Sequence, residues 1–494
     1  MDNNSTVEFH GGYKMSLLPI AIFILFCIAF FIVFKVFEMD ALAMGGLVGI
    51  IVGSFFSTNW KNYWDAVLEG VSTPMNAVLI MILLVVGIFT ALMAKSGVAQ
   101  GFVWLGNAIG LKGGMFTGFA FITACIMSTA TGTSIGTLFS AFPILYPSGI
   151  LLGANPALLA GAILSGAIFG DNLAPISDTT IASAATQRYK NKEGNADIGG
   201  VVATRFKYAI IAAAAAAVLY FVFGGGGSSG TGAADILQKY TDPKGLIMLI
   251  PVAILLYIAI KTREIFTAIT WGIVSGTIIA LLFGIITFKD ILSVENGALT
   301  GFVYSGFKNM VGTAIFSISL FGMVGIINAS GAMDRIIKAL VHSKLAKTPR
   351  GAEITLAIGI ILSSLSMGSA TGPAIIMFGP IANEVGRSVN LHPYRRANLI
   401  DGFANTIPII VPVISAFIFI VLTVIKGLQG DFSFIQTINP ATIAVSTFHP
   451  MMLFIVFAIS VITGWGRDFE GPNGDLIPQL KSGQNNSFSG TKNG

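Results

Sequence analysis

Five long apolar runs set the terms on which this chain folds: residues 15–37, 75–93, 206–223, 246–260 and 310–327. They are built on the scale of the roughly 17–25 residues that a helix needs to cross a bilayer. Composition agrees, with 54% hydrophobic and 10% charged residues over 494 positions, where soluble domains carry about a quarter charged residues. The chain is expected to be an all-α polytopic membrane protein, with the lipid bilayer as its first partner. No small-residue cleavage site follows the first run, so that run reads as a retained helix rather than a signal peptide.

The formal net charge of +5 reports cytoplasmic loops, not a nucleic-acid partner. Cys27 and Cys125 lie in apolar segments and give no disulfide framework. His10, His342, His392 and His449 are scattered without metal-binding spacing and read as loop or interface residues. There is no Gly-Lys-Ser/Thr phosphate loop, so no nucleotide partner and no cofactor is expected beyond transported or coupling Na+ and H+.

One motif is written twice. STATGTS (128–134) matches GSATGPA (368–374), and AKSGVAQ (94–100) matches NASGAMD (328–334). AFPIL (141–145) resembles FGPIA (378–382), and ILSGAIFGDN (163–172) falls opposite LIDGFANTIP (399–408). The offset stays near about 235 residues, as an internal transporter repeat requires.

Loop charges orient the repeats. Arg188, Lys190, Lys192, Arg205 and Lys207 form one basic loop; Lys338, Lys344, Lys347 and Arg350 a second; Arg387, Arg395 and Arg396 a third. Positive loops favour the cytoplasm. The apolar stretch 352–387 lies between two such loops, so it is expected to enter and return as a re-entrant hairpin tipped by SATGP. Its counterpart, 113–147, then enters from outside and is tipped by STATGTS. The repeats come out inverted, with roughly ten crossings of the cell inner membrane, two hairpins and both termini on the cytoplasmic side. The expected segments are 1–14 (cytoplasmic N-terminus), 15–205 (first repeat), 206–243 (connecting helix and flexible linker), 244–425 (second repeat), 426–465 (final crossing) and 466–494 (polar, poorly ordered cytoplasmic tail). Trp60, Trp64, Trp104, Trp271 and Trp465 near segment ends read as interface anchors.

Acids inside the crossings are few: Asp171, Asp178 and Asp401. A charge at mid-bilayer costs roughly 2.5–3.5 kcal/mol even on a lenient scale, and such residues mark ion or proton paths. GDNLAPISDTT (170–180) also breaks its helix, because Gly170 is permissive and Pro175 lacks an N–H. Residues near Ile168–Phe169 and Leu173–Ala174 are expected to lose helical pairing and to free carbonyl oxygens. Asn172, Ser177, Thr179 and Thr180 add side-chain oxygens of the kind hard cations favour. The matching stretch 403–412 supplies Asn405 and Thr406, with Pro408 and Pro412 as breaks. The hairpin tips contribute Ser128, Thr129, Thr131, Ser369 and Thr371. Two carboxylates in one poorly hydrated cavity hold a cation or protons, not both well, and that competition is sufficient for exchange.

FGDNLAPISDTTIASA (169–184) resembles the signature of the NhaC family of Na+/H+ antiporters, in which Gly-Asp is followed by Ser-Pro and then Ser-Asp-Thr-Thr. Ala174 departs from it, standing where the family often has Ser. The resemblance extends to the ATG hairpin tips and the two-repeat layout. It implies paired hairpins, broken helices, a homodimer and an elevator-like motion of a transport domain against a scaffold. The leading reading is Na+/H+ antiport of a small monovalent cation, with Asp171 and Asp178 holding Na+. The runner-up is Na+- or H+-coupled transport of a small organic acid or amino acid, and an ion channel is the distant third. No Ser/His pair, Gly-x-Ser-x-Gly or His-Glu-x-x-His supports an intramembrane enzyme.

Overall fold

Many helix starts in this chain are spelled as a polar cap followed by proline. Thr73–Pro74, Asn155–Pro156, Thr348–Pro349, His392–Pro393 and Asn439–Pro440 each open a helix, and each cap side chain accepts a first-turn N–H. Proline is tolerated there because its missing donor has no helical partner. A computed structural model describes residues 7–477, apart from 35–38, 228–240, 263, 296, 333–334, 336–337, 340–342 and 413.

The described residues are mostly helical. In order come α1 (Leu18–Ile28), α2 (Met39–Ser54), α3 (Trp60–Ser72), α4 (Pro74–Lys95), α5 (Val98–Ala108), α6 (Gly114–Thr131), α7 (Ser134–Leu151), α8 (Pro156–Leu173), α9 (Asp178–Ala185) and α10 (Ile198–Phe223). After residues 228–240 follow α11 (Leu249–Thr262), α12 (Ile265–Leu282), α13 (Phe288–Ile291), α14 (Phe302–Ala329), α15 (Pro349–Ser366), α16 (Thr371–Ser388), α17 (Pro393–Ala404), α18 (Ile407–Ile410), α19 (Ala416–Gln429), α20 (Pro440–Ser446) and α21 (Phe448–Thr463). Two small antiparallel ribbons, Ser293–Glu295 with Ala298–Thr300 and Phe469–Glu470 with Leu476–Ile477, are the only strands among the described residues. Seven described helices are long and apolar enough to cross a membrane, or eight if α20 and α21, bent by 51°, form one span. The chain is thus a multi-pass membrane protein.

Burial places the elements. The apolar stretch of α8–α9 is 94% buried and that of α10 only 33%, so α8 runs through the centre and α10 lies at the edge. The edge helix still has an inner face: Val201, Arg205, Tyr208, Ala212, Ala216 and Tyr220 are buried at helical spacing.

Two helical hairpins open at opposite ends of α10. The open end of α6–α7 lies beside the C-terminus of α10, with Gly113 N–H donating to Leu152 C=O at 2.8 Å and Asn155 N–H to Gly224 C=O at 2.9 Å. The open end of α15–α16 lies by the start of α10: Arg188 N–H donates to Asn383 Oδ1 at 2.8 Å, and Ala196 N–H donates to Gln187 C=O at 2.8 Å. The 26 residues of α10 separate these ends by about 39 Å. All four hairpin arms have 18 residues. The AKSG and NASG stretches also close alike. Gly97 and Gly331 take φ of 76° and 64°, and the preceding Ser96 and Ser330 hydroxyls each donate three residues back, at 3.1 and 2.8 Å.

Several expectations need correction. Arg205 is not in a loop: α10 begins at Ile198, so Arg205 is two turns inside it and fully buried. Arg395 and Arg396 likewise lie within α17, which starts at Pro393. Arg395 pairs with the buried Glu353 at 2.7 Å, and Arg467 reaches the same carboxylate at 2.7 Å. The tail does not loosen at Trp465. Residues 467–477 fold back, and the Glu470 carboxylate accepts the N–H groups of Lys190 and Asn191 at 2.7 Å each; residues 478–494 lie outside the described residues. His449 is neither loop nor interface but fully buried in α21, with its ring 5.4 Å from that of Phe169. All five tryptophans are exposed. Most of the polar linker and the end of NASGAMD lie outside the described residues.

Candidate functional site

The first break is made by one missing donor. Helical pairing holds as far as Ala174, whose N–H reaches Gly170 C=O at 2.7 Å. Pro175 has no N–H for the carbonyl of Asp171, four residues back. The Thr179 hydroxyl donates to that carbonyl instead, at 3.1 Å. The next orphan carbonyl, that of Asn172, accepts from the Arg205 guanidinium. Ile168 and Phe169, expected to lose helical pairing, stay helical, and the two carbonyls that proline does orphan already have a donor. The gap is 174–177, after which Asp178 opens α9.

Each acid at the gap meets a different hairpin. Asp171 is buried and accepts from Ser134 at 2.8 Å and Ser177 at 2.7 Å, one on each carboxylate oxygen. Ser134 is the first residue of α7, just past the first tip. Asp178 is exposed, and its Oδ1 accepts Thr179 N–H at 2.9 Å. The second tip stands against it: a Cβ on Gly372 would lie 3.0 Å from Asp178 Oδ2.

The tips are locked to the broken helices by backbone contact. The Ser128 hydroxyl donates to Ala167 C=O at 2.5 Å, and the Ser369 hydroxyl to Pro408 C=O at 2.5 Å. Ser369 holds φ at 69°, a left-handed conformation that side chains other than glycine's rarely take. A Cβ at Gly170 would be 2.2 Å from Thr129 N and 2.3 Å from Ser128 C, so only glycine allows α8 to approach this tip.

A second cluster lies around Asp401. Its Oδ2 is paired with Arg205, both side chains fully buried, and accepts from Ser183 at 3.2 Å. Its Oδ1 accepts from the amides of Asn172 at 3.2 Å and Asn405 at 2.9 Å. Arg205 also donates to Asn398 Oδ1 at 2.9 Å and Thr180 Oγ1 at 3.1 Å. The buried carboxylate is thus neutralised and hydrogen-bonded on both oxygens, which is what a charge removed from water requires. The amide oxygens of Asn172 and Asn405 are buried with no partner.

Of the residues singled out by sequence, Asp171, Asp178, Ser177 and Thr179 come together at the first break. Asn172, Thr180, Asp401 and Asn405 come together around Arg205. Thr129, Thr131 and Thr406 turn their hydroxyls to carbonyls of their own helices, at 2.8, 2.9 and 2.6 Å. Pro412 lies in the second gap, between α18 and α19, and Thr371 opens α16 with no hydroxyl partner among the described residues. Sequence reasoning passed over Arg205, Ser134, Ser183 and Asn398. The signal for Arg205 was its fit to the inward stripe of α10.

The comparisons with known proteins bear on residues of the first break directly. Residues 6–225 match the model of the Na+/H+ antiporter family. A malate-2H+/Na+-lactate antiporter of Bacillus subtilis is 33% identical over 148 residues, 30% of this chain and 31% of its own length. An uncharacterized Na+/H+ antiporter of Haemophilus influenzae is 27% identical over 377 residues, 70% of this chain and 76% of its own. The Na+/H+ antiporter NhaC of Alkalihalophilus pseudofirmus is 29% identical over 180 residues, 36% of this chain and 37% of its own. The chain therefore spans about a third of the length of two of these relatives and three quarters of the third. The matched stretch, residues 6–225, takes in the first hairpin, the first break and Arg205, and over it the chain is similar to the Na+/H+ antiporter family.

Proposed function

We propose that the chain is a secondary antiporter that moves Na+ in one direction and protons in the other, with Asp171 and Asp178 as the exchanging groups. The observation that carries the reading is the first break, where two carboxylates flank one gap and each is met by a different hairpin tip. A cation needs these carboxylates charged, and protonation removes that charge. The two cargoes therefore compete, and competition at a site open to one side at a time couples their fluxes. We read the matched hairpins and breaks as inverted repeats, in a chain with roughly ten crossings and both termini in the cytoplasm. The tips are bonded to the broken helices, which favours an elevator-like motion of that unit, in a homodimer.

A second reading, exchange of a small organic acid, is favoured by the Bacillus relative's name and by a buried arginine at the site. A carboxylate substrate needs uncompensated positive charge. The charge of Arg205 is already matched by Asp401, so the cation reading stands first.

Purified protein in proteoliposomes, with a pH-sensitive dye inside and a panel of cations and organic acids outside, tests this. Na+ alone is expected to drive proton efflux, and Na+ affinity measured calorimetrically is expected to weaken as the pH falls. Proton movement only when an organic acid is present would overturn the antiport of Na+ for H+.

A further inference from the structure

Asp401 has the look of a third exchanging acid, yet its hydrogen bonds leave it little to exchange. Arg205 and Ser183 occupy Oδ2, and the amides of Asn172 and Asn405 occupy Oδ1. The two asparagines come from different broken helices: Asn172 from the last turn of α8, Asn405 from the residue that ends α17. Because both NH2 groups are turned to one carboxylate oxygen, both carbonyl oxygens are turned away from it. Those two oxygens are among the buried side-chain atoms without a hydrogen-bond partner among the described residues. Leaving a buried polar atom unmatched is costly, and here the cost falls twice around one anchor. The guanidinium, the Ser183 hydroxyl and the two amide NH2 groups already have acceptors, and these two oxygens are left unmatched. Neutral amide oxygens are ligands for hard cations, and Asn172 follows directly on Asp171.

We propose that Arg205 and Asp401 form a fixed, electrically neutral anchor whose task is to hold Asn172 Oδ1 and Asn405 Oδ1 as ligands of the bound monovalent cation. The inference rests on the antiport reading for the identity of its cargo. It adds that the cation is held by both broken helices and that Arg205 and Asp401 are positioning residues. Arg205 acts twice, since it also caps the carbonyl of Asn172.

The test is Na+ binding by calorimetry on the purified full chain at fixed pH, with N172L, N405L and S183A compared. S183A removes a donor to the same carboxylate without removing an amide oxygen. The two asparagine variants are expected to weaken Na+ binding by about tenfold or more, and S183A by clearly less. If S183A weakens binding as much as N405L does, or if both asparagine variants bind Na+ like the parent, the proposal falls. Where a variant does not fold, the parent chain with 13C-labelled asparagine answers. Infrared difference spectra, Na+ against choline, are expected to show asparagine carbonyl bands moving to lower frequency. Sodium binding with no asparagine band in the difference spectrum would overturn the assignment. The two readings fail separately: a chain that binds Na+ through these amides but moves no protons defeats antiport alone.

Discussion

At the first break Asp171 accepts hydroxyls from Ser134 and Ser177; in the matching stretch of the second half the equivalent positions are Ile407 for the acid and Ala374 for the donor from the tip. The relation reverses six residues, nearly two turns, earlier. Asp401 falls opposite Ser165, and α10 partners both. Arg205 pairs with Asp401, whereas the Tyr220 hydroxyl lies 2.7 Å from that of Ser165. One half thus carries its charge at the gap, unpaired by a base. The other carries it inside the helix, cancelled. The lesson is that the two matched stretches share backbone features, the breaks, tips and caps, while their charges are placed differently. Exchange requires acids free to bind and release, and anchoring requires an acid that never does.

The comparison breaks most readily at the acids. Asp171→Asn is expected to cut Na+-driven proton flux by about 100-fold or more, whereas Ile407→Val leaves flux close to the parent. Equal losses in the liposome assay would mean that both gaps carry the exchange. The next test is steric. Gly170→Ala places a methyl group 2.2 Å from the backbone of the first tip, and overpacking of that kind costs about 1–3 kcal/mol. A lowered melting temperature is expected, with Gly372→Ala costing less stability because the atom it meets, Asp178 Oδ2, is at 3.0 Å. If Gly372→Ala is the less stable of the two, the first tip is not the tighter joint.

A smaller effect separates the tips themselves. Thr131 spends its hydroxyl on Met127 C=O at 2.9 Å, while the hydroxyl of Thr371 has no partner among the described residues. Thr371→Val is therefore expected to weaken apparent Na+ affinity a few-fold, and Thr131→Val to leave it nearer the parent; the reverse order would make the first tip the ligand. The smallest effect belongs to an acid outside the membrane. Asp197 caps α10, and the Tyr394 hydroxyl together with Gly200 N–H holds its carboxyl below the ordinary carboxylate range. A depressed value stabilises the fold above the unfolded-state pKa of about 3.9 and loses that contribution as the pH falls through the folded value. Melting of the parent and Asp197→Asn should differ slightly at pH 7 and converge below about pH 4. A pH effect on Na+ binding that persists in Asp197→Asn is then assigned to the gap and not to the cap.

Much of this was legible in the sequence because the relevant physics is local. Pro175 removes a donor wherever it stands, Gly132 and Gly368 permit a reversal, and acids in apolar runs are too costly to be incidental. The paired helix ends at Gly97 and Gly331 follow from the same four-letter pattern. What could not be read was partnership across the chain. Arg205 is 196 positions from Asp401 along the sequence, and beside Lys207 and the Arg188 loop it passed for one more loop charge. Counting basic residues blurs a helix start, whereas the inward stripe of Val201, Tyr208, Ala212 and Ala216 would have drawn Arg205 indoors. Proline's release of backbone carbonyls was legible, but the sequence placed the loss near Ile168–Phe169 and Leu173–Ala174, whereas the orphaned carbonyls are those of Asp171 and Asn172. That Thr179 and Arg205 then claim them is a matter of three-dimensional supply.

Gly170 settles a question of kinematics. Where α8 meets the first tip, backbone rests on backbone, with less room between them than a single methyl group occupies. A joint without play does not slide. In the proposed exchange the first tip would move together with Asp171, and a sliding surface would lie farther out, between this unit and the helices around it.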